Sequence, residues 1–247
     1  ALHDTDTAFK AAYLASVEQY QSQRNKIDAL LEMKKQSHGY AASDIISPLQ
    51  QRQWLAELPS DLCEDEIKFR EAMYEFTNMK PISAGDVIRV KPYVPHSLQN
   101  GVRVIEFQTA HYERHILSFA QKVMTQDHWD TGTILDKIEI DAEAETDHTI
   151  IKSSDGVLVE AIAEFPAFTA VRVTLSPSYQ YEMEIKHYGV VIGVTGRSVI
   201  AHHSKNLAAS IDIDVEQAYL IPGTSNTLTL ANHSKKNAVV LVALPNI

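Results

Sequence analysis

The apolar period of this chain changes once, near Pro81, and that change limits the architectures open to it. Before it, Phe9, Ala12, Tyr13, Val17 and Tyr20, then Ile27, Leu30 and Leu31, recur at three- and four-residue steps, the signature of one helix face. After it, short apolar alternations are separated by turn residues, which reads as strands. Helices gathered at one end and strands at the other exclude an alternating βαβ protein and predict an α+β, mainly β chain. With 247 residues there is room for a large buried core, in one unit or two small domains.

The helical part is expected in three pieces. The first spans 5–36, with Thr5, Asp6 or Thr7 able to cap its start and Gly39 marking its stop. The polar run 19–25 is a break or a solvated face, so one helix and two remain open. Ser47-Pro48-Leu49-Gln50 combines an N-cap serine, a proline at the first helical position and a glutamine three residues on. That helix carries Trp54, Leu55 and Leu58 inward and ends at Pro59. A third starts at Ser60-Asp61, where Asp61 and Glu64 repeat the cap logic, and runs through Phe69, Met73 and Phe76. The aromatic stripe has the ordinary amphipathic period and reads as core.

Strands are expected at 87–90, 102–107, 116–117 and 134–140, followed by ten short strands between 148 and 247. Ser154-Asp155-Gly156, Ser176-Pro177, Gly196-Arg197 and Pro222-Gly223 punctuate the latter, a pattern of sandwiches and barrels. The acidic run 141–147 reads as an exposed linker or turn. The chain thus divides into a helical segment, 1–80, a short β part, 81–147, and a longer β part, 148–247.

A formal charge of −10 argues against nucleic acid and anionic membrane surfaces, which are bound through basic clusters. An anionic small molecule then needs a local basic group, for which Arg114 is the candidate. No apolar run approaches the roughly 20 residues of a membrane span. The single Cys63 excludes an internal disulfide, and a reducing cytoplasm is the expected compartment; its thiol reads as a small buried side chain.

Residues 85–114 carry the densest chemical signal. Gly85 is followed eleven residues on by His96, after the turn Pro92 to Pro95, and four further on by Asn100. A strand with Glu106 comes next, then Arg114. This spacing resembles the second sequence motif of the cupin β-barrels, and the Pro95-His96-Ser97-Leu98 turn with Glu106 and Arg114 resembles class I mannose-6-phosphate isomerases. The sequence departs from the motif at Lys91 and Tyr93, where the family often has Pro and Gly. The resemblance covers 81–247 and implies a jelly-roll, bicupin-like architecture in which 81–147 completes a first barrel. Ala218 to Gly223 resembles the same turn a second time, but Asn226 stands near the ligand position, so 148–247 reads as a structural barrel without metal.

The resemblance further implies zinc as cofactor, with His96 as a ligand and Arg114 as a catalytic residue; Glu106 reads as a site-shaping carboxylate. Alternation puts Glu106 on one face with Val102 and Val104, so a buried glutamate is expected. The family's other ligands, a Gln-x-His pair and a glutamate, precede its helical insert. Here the helical part begins at residue 5, so the simplest reading is that a first portion of a longer protein precedes Ala1. The partners expected are a small sugar phosphate and either that N-terminal segment or a second copy of the chain.

Other candidates weigh less. Lys122 is a possible phosphate contact, and His111, His115 and His128 lie nearby in sequence. His187, His202 and His203 read as surface residues, since strand neighbours face opposite ways. The function expected is a metal-dependent aldose–ketose isomerase of a sugar phosphate. The alternative is a non-catalytic cupin that binds a sugar or serves as an interaction module.

Overall fold

The computed structural model describes residues 6–109, 114–121, 126–140, 148–196, 199–203 and 206–247; for 199–203, 206–209 and 225 it describes the backbone alone. The chain forms two compact units. One comprises Ala1–Ile82, Lys91–Ser97 and Glu113–Ala142; the other comprises Ser83–Val90, Leu98–Tyr112 and Glu143–Ile247. The acidic run 141–147 lies outside the described residues.

The first unit is helical. Helix α1 (Asp6–Ser37) is unbroken, so the polar run 19–25 is a solvated face of one helix rather than an interruption. Helix α2 (Pro48–Ala56) starts as its cap predicts, with the Gln50 amide donating to Ser47 Oγ at 3.2 Å. Helix α3 (Ser60–Tyr74) departs from expectation: its N-cap is Pro59, and no side chain caps it. Tyr13, Val17, Tyr20 and Met73 are buried together with Ile134, Leu135 and Ile138, and Phe69, Phe76 and Trp129 pack against them. The Tyr13 hydroxyl donates to the Ser118 carbonyl at 2.6 Å, and burial pushes its pKa up to about 12.

Two strands expected in this unit are absent. At 134–140 the chain forms α4 (Thr131–Ile134) and a 3-10 turn (Leu135–Lys137) instead. The buried positions 134, 135 and 138 follow a helical step, which the short apolar run disguised. At 116–117 the Ile116 amide is satisfied by Asp130 Oδ2 at 2.7 Å rather than by a ladder.

The second unit holds every regular strand among the described residues: β1 (Thr149–Ser154), β2 (Val157–Glu164), β3 (Phe168–Leu175), β4 (Gln180–Ile185), β5 (Tyr188–Thr195), β6 (Val199–His203), β7 (Asn206–Ile213), β8 (Ala218–Pro222), β9 (Asn226–Asn232) and β10 (Ala238–Pro245). All ten expected strands of 148–247 are present. They form two sheets, ordered β1-β2-β3-β10-β5-β8 and β4-β9-β6-β7. The antiparallel pairs β6–β7, β5–β8, β4–β9 and β3–β10 are nested, as in a long hairpin rolled into two layers. That nesting is the jelly-roll topology the cupin resemblance implies, extended here by the β1–β2 hairpin. The chain is therefore an α+β protein with a helical unit and a cupin-like jelly roll.

Alternate residues of both sheets fill the jelly-roll interior. Val159, Val173, Leu175, Val191, Leu230, Val240 and Val242 are fully enclosed, with Ile185, Ile213 and Leu228 beside them. The turn between β8 and β9 has room only for glycine at Gly223, whose Cβ would stand 1.6 Å from the His187 carbonyl oxygen. Segments 87–90 and 102–107, expected as strands, pair with no ladder. Val87 and Phe107 instead pack on the cluster of Ile162, Ala163 and Ala170, so their apolar side chains are used to cover the larger sheet.

Candidate functional site

The turn before His96 is held by two hydrogen bonds, one within it and one from Glu139. The Val94 amide donates to the Lys91 carbonyl at 3.3 Å, closing a four-residue turn with Pro92 and Tyr93 at its centre. Pro92 supplies the fixed φ favoured at the first central position, and Tyr93 has φ +65° at the second. A proline followed by a left-handed residue is the type II pattern, which ordinarily takes Gly or Asn second. The sequence departs from the cupin motif at Tyr93, yet the backbone there keeps the conformation a glycine would adopt. For a tyrosine this costs roughly 1–2 kcal/mol. The Tyr93 carbonyl is held in turn by the Glu139 amide at 3.0 Å, directly after the 3-10 turn.

His96 is exposed, and its Nδ1 lies 2.9 Å from the Val94 carbonyl oxygen. A carbonyl can only accept, so Nδ1 is the donor there and, in the neutral ring, Nε2 is the nitrogen with the lone pair. This is how metal-ligating histidines are commonly oriented, one ring nitrogen donating to a backbone carbonyl and the other left to coordinate. His96 therefore fits a divalent metal as one ligand. Among the described residues no three His, Cys, Asp or Glu side chains form a metal-holding group. The described residues thus supply a single ligand rather than a full donor set, and no catalytic step is assigned to a metal.

The remaining expected residues divide between the units. Arg114 belongs to the first, with His96, and is exposed. Glu106 belongs to the second and is also exposed, as is Val104 at 47 %. The buried glutamate expected from alternation is not formed, because 102–107 lies over a sheet face by Phe107 alone and presents its other side to solvent. His115, His128 and His187 are exposed. His128 Nδ1 lies 2.8 Å from Asp127 Oδ1, and this pairing raises the histidine's pKa. His202 and His203 are successive residues of β6, and the surface position expected for their side chains lies outside what is described. Lys122 and His111 lie outside the described residues. Cys63 is half-buried, its thiol directed at the Leu55 carbonyl at 3.8 Å.

One charged cluster escaped the sequence reading. In the second unit Arg172 forks onto Glu160, Nε to Oε2 at 2.8 Å and Nη2 to Oε1 at 3.1 Å, while Nη1 donates to the Gly85 carbonyl at 2.7 Å. His148 Nδ1 accepts from Nη2 at 3.1 Å. Glu160 and Arg172 are directly opposed on β2 and β3, so correct pairing of those two strands would have revealed them. The cluster anchors the Gly85 turn, the first residue of the motif, to the outer sheet face. The Arg172 hydrogen bonds, above all, hold the Glu160 carboxyl below the usual carboxylate range. A carboxylate depressed in the folded state stabilises above its unfolded value of about 4.3, and that contribution is lost as pH falls through and below it. Thermal melts are expected to fall steeply in Tm below about pH 4.5, and Glu160→Gln to flatten that acid limb. An unchanged limb in the variant would remove Glu160 from the acid response.

No protein family's sequence profile matches the chain, and no curated protein shows a significant match to it. Similar solved structures are cupin-superfamily proteins. A cupin domain from Bordetella pertussis Tohama I shares 12% identity at a TM-score of 0.33, covering 37% of this chain and 95% of that one. The polyketide cyclase RemF from Streptomyces resistomycificus shares 11% at a TM-score of 0.33, covering 41% and 74%. A mannose 6-phosphate isomerase from Bacillus subtilis shares 9% at a TM-score of 0.35, covering 44% of this chain and 32% of that one. Among the described residues no helix is long and apolar enough to cross a membrane.

Proposed function

We propose that the chain acts in aldose–ketose isomerisation of a sugar phosphate, the mannose 6-phosphate to fructose 6-phosphate type. The observation that carries this reading is the His96 turn, whose backbone keeps the motif's left-handed residue and whose Val94 carbonyl fixes the ring with Nε2 available. His96 is the metal ligand this chain contributes to a zinc centre. The reaction moves a proton between C1 and C2 through an enediol, and charge develops on the adjoining oxygen. The Arg114 guanidinium is the group for that charge, or for the phosphate, which its planar donors match bidentately. Glu106 is the site-shaping carboxylate of this reading.

A coupled assay of mannose 6-phosphate isomerisation, on the chain as it stands and after zinc loading, tests the reading. Turnover that depends on zinc is expected. Absence of turnover after loading rejects it for this chain, and sugar binding without turnover then assigns the chain to the non-catalytic sugar-binding class.

A further inference from the structure

We propose that Tyr93 is a sugar-contacting residue, its ring a stacking wall beside His96. This rests on the reading of the His96 turn as a sugar site, whether or not the site turns its ligand over. The backbone argues first: the second central position of a type II turn selects against a side chain, and Tyr93 occupies it at φ +65°. Four other non-glycine residues share this backbone region, Ala120, Ser178, Glu216 and Asn226, but Tyr93 alone among them carries an aromatic ring. The residue is 53% exposed, and among the described residues no aromatic ring stacks on it. The Glu139 amide holds the Tyr93 carbonyl, a contact any residue would make there. What the tyrosine adds to the turn is therefore a ring and a hydroxyl, offered three residues before His96.

The chemistry of that group selects its ligand. A phenol carries no positive charge and cannot neutralise phosphate, so it reads the sugar. Its apolar face fits the C–H face of a sugar ring, a contact that the ring makes with or without its hydroxyl. In this arrangement the phosphate is left to a cation, and Tyr93 sets which sugar ring lies against the His96 imidazole. A Tyr at this position raises affinity and discriminates among sugars without taking part in proton transfer.

Calorimetric titration of the full chain with mannose 6-phosphate, alongside inorganic phosphate, tests this on wild type, Tyr93→Gly and Tyr93→Phe. Tyr93→Gly is expected to weaken mannose 6-phosphate about five-fold or more. Inorganic phosphate should be affected equally little in all three, and Tyr93→Phe should stay within about two-fold of wild type. Tm of the glycine variant should be unchanged or higher, which separates a lost contact from a damaged fold. In turnover, KM should rise while kcat holds. Equal affinity in Tyr93→Gly, a phenylalanine variant as weak as the glycine one, or no sugar-phosphate binding by wild type each overturns the inference. Wild-type turnover with an unaffected Tyr93→Gly defeats this inference alone; Tyr93-dependent binding without turnover defeats the isomerase reading alone.

Discussion

Substituting Ala for His96 is expected to strip zinc from the purified, zinc-loaded chain and to lower kcat/KM for mannose 6-phosphate by at least about 100-fold, equivalent to roughly 2.7 kcal/mol of transition-state stabilisation. Changes even to groups that merely orient a metal ligand cost about 10- to 100-fold in affinity or activity, so loss of the ligand itself belongs at or beyond that range. The substitution should leave the fold intact, because the His96 ring is exposed and its hydrogen bond runs to a carbonyl only two residues away. Elemental analysis, the coupled assay and a thermal melt together make the measurement. A His96→Ala chain that keeps both its zinc and its activity would show that the turn holds no ligand, and the proposed site would fall with it.

The largest stability effect is expected in the jelly roll. Leu230 on β9 is fully enclosed, in a cluster shared with Val173, Val191 and Val240. Leu230→Ala removes apolar volume where both sheets already interdigitate, and the enclosing strands can collapse only partly into the space. A loss of about 3 kcal/mol is expected, within the range for buried leucine truncations. For a chain of this length that corresponds to a fall in Tm on the order of 6–12 °C. Chemical denaturation measures it directly. A change below about 1 kcal/mol would mean that the cavity closes or that β9 is not central to the core.

How much was legible follows from what each signal depends on. The strands of 148–247 were readable because each shows its own period of two between clear turns, as in Val157–Glu164 and Ala238–Pro245. Helix α2 was readable because Ser47, Pro48 and Gln50 specify a start without reference to anything distant. Residues 87–90 and 102–107 misled for the complementary reason. Alternation reports that one side of a segment is covered, and a sheet face covers Val87 and Phe107 as well as a ladder would. At 134–140 the apolar run was too short to separate a period of two from a helical step.

For the candidate site, sequence spacing singled out His96, Glu106 and Arg114 and noted the departure at Tyr93. Those are properties of residue types and intervals, which the chain carries in one dimension. The hold of the Glu139 amide on the Tyr93 carbonyl, the exposure of Glu106 and the hold of Arg172 on the Gly85 carbonyl are not such properties. Each depends on which main-chain or side-chain group arrives from another part of the fold to satisfy a donor or cover a face. Local sequence determined where helices, strands and the His96 turn begin and end. Only the tertiary structure decided which of their polar groups are pinned and which are left available to a ligand, because that is settled by neighbours distant in the chain.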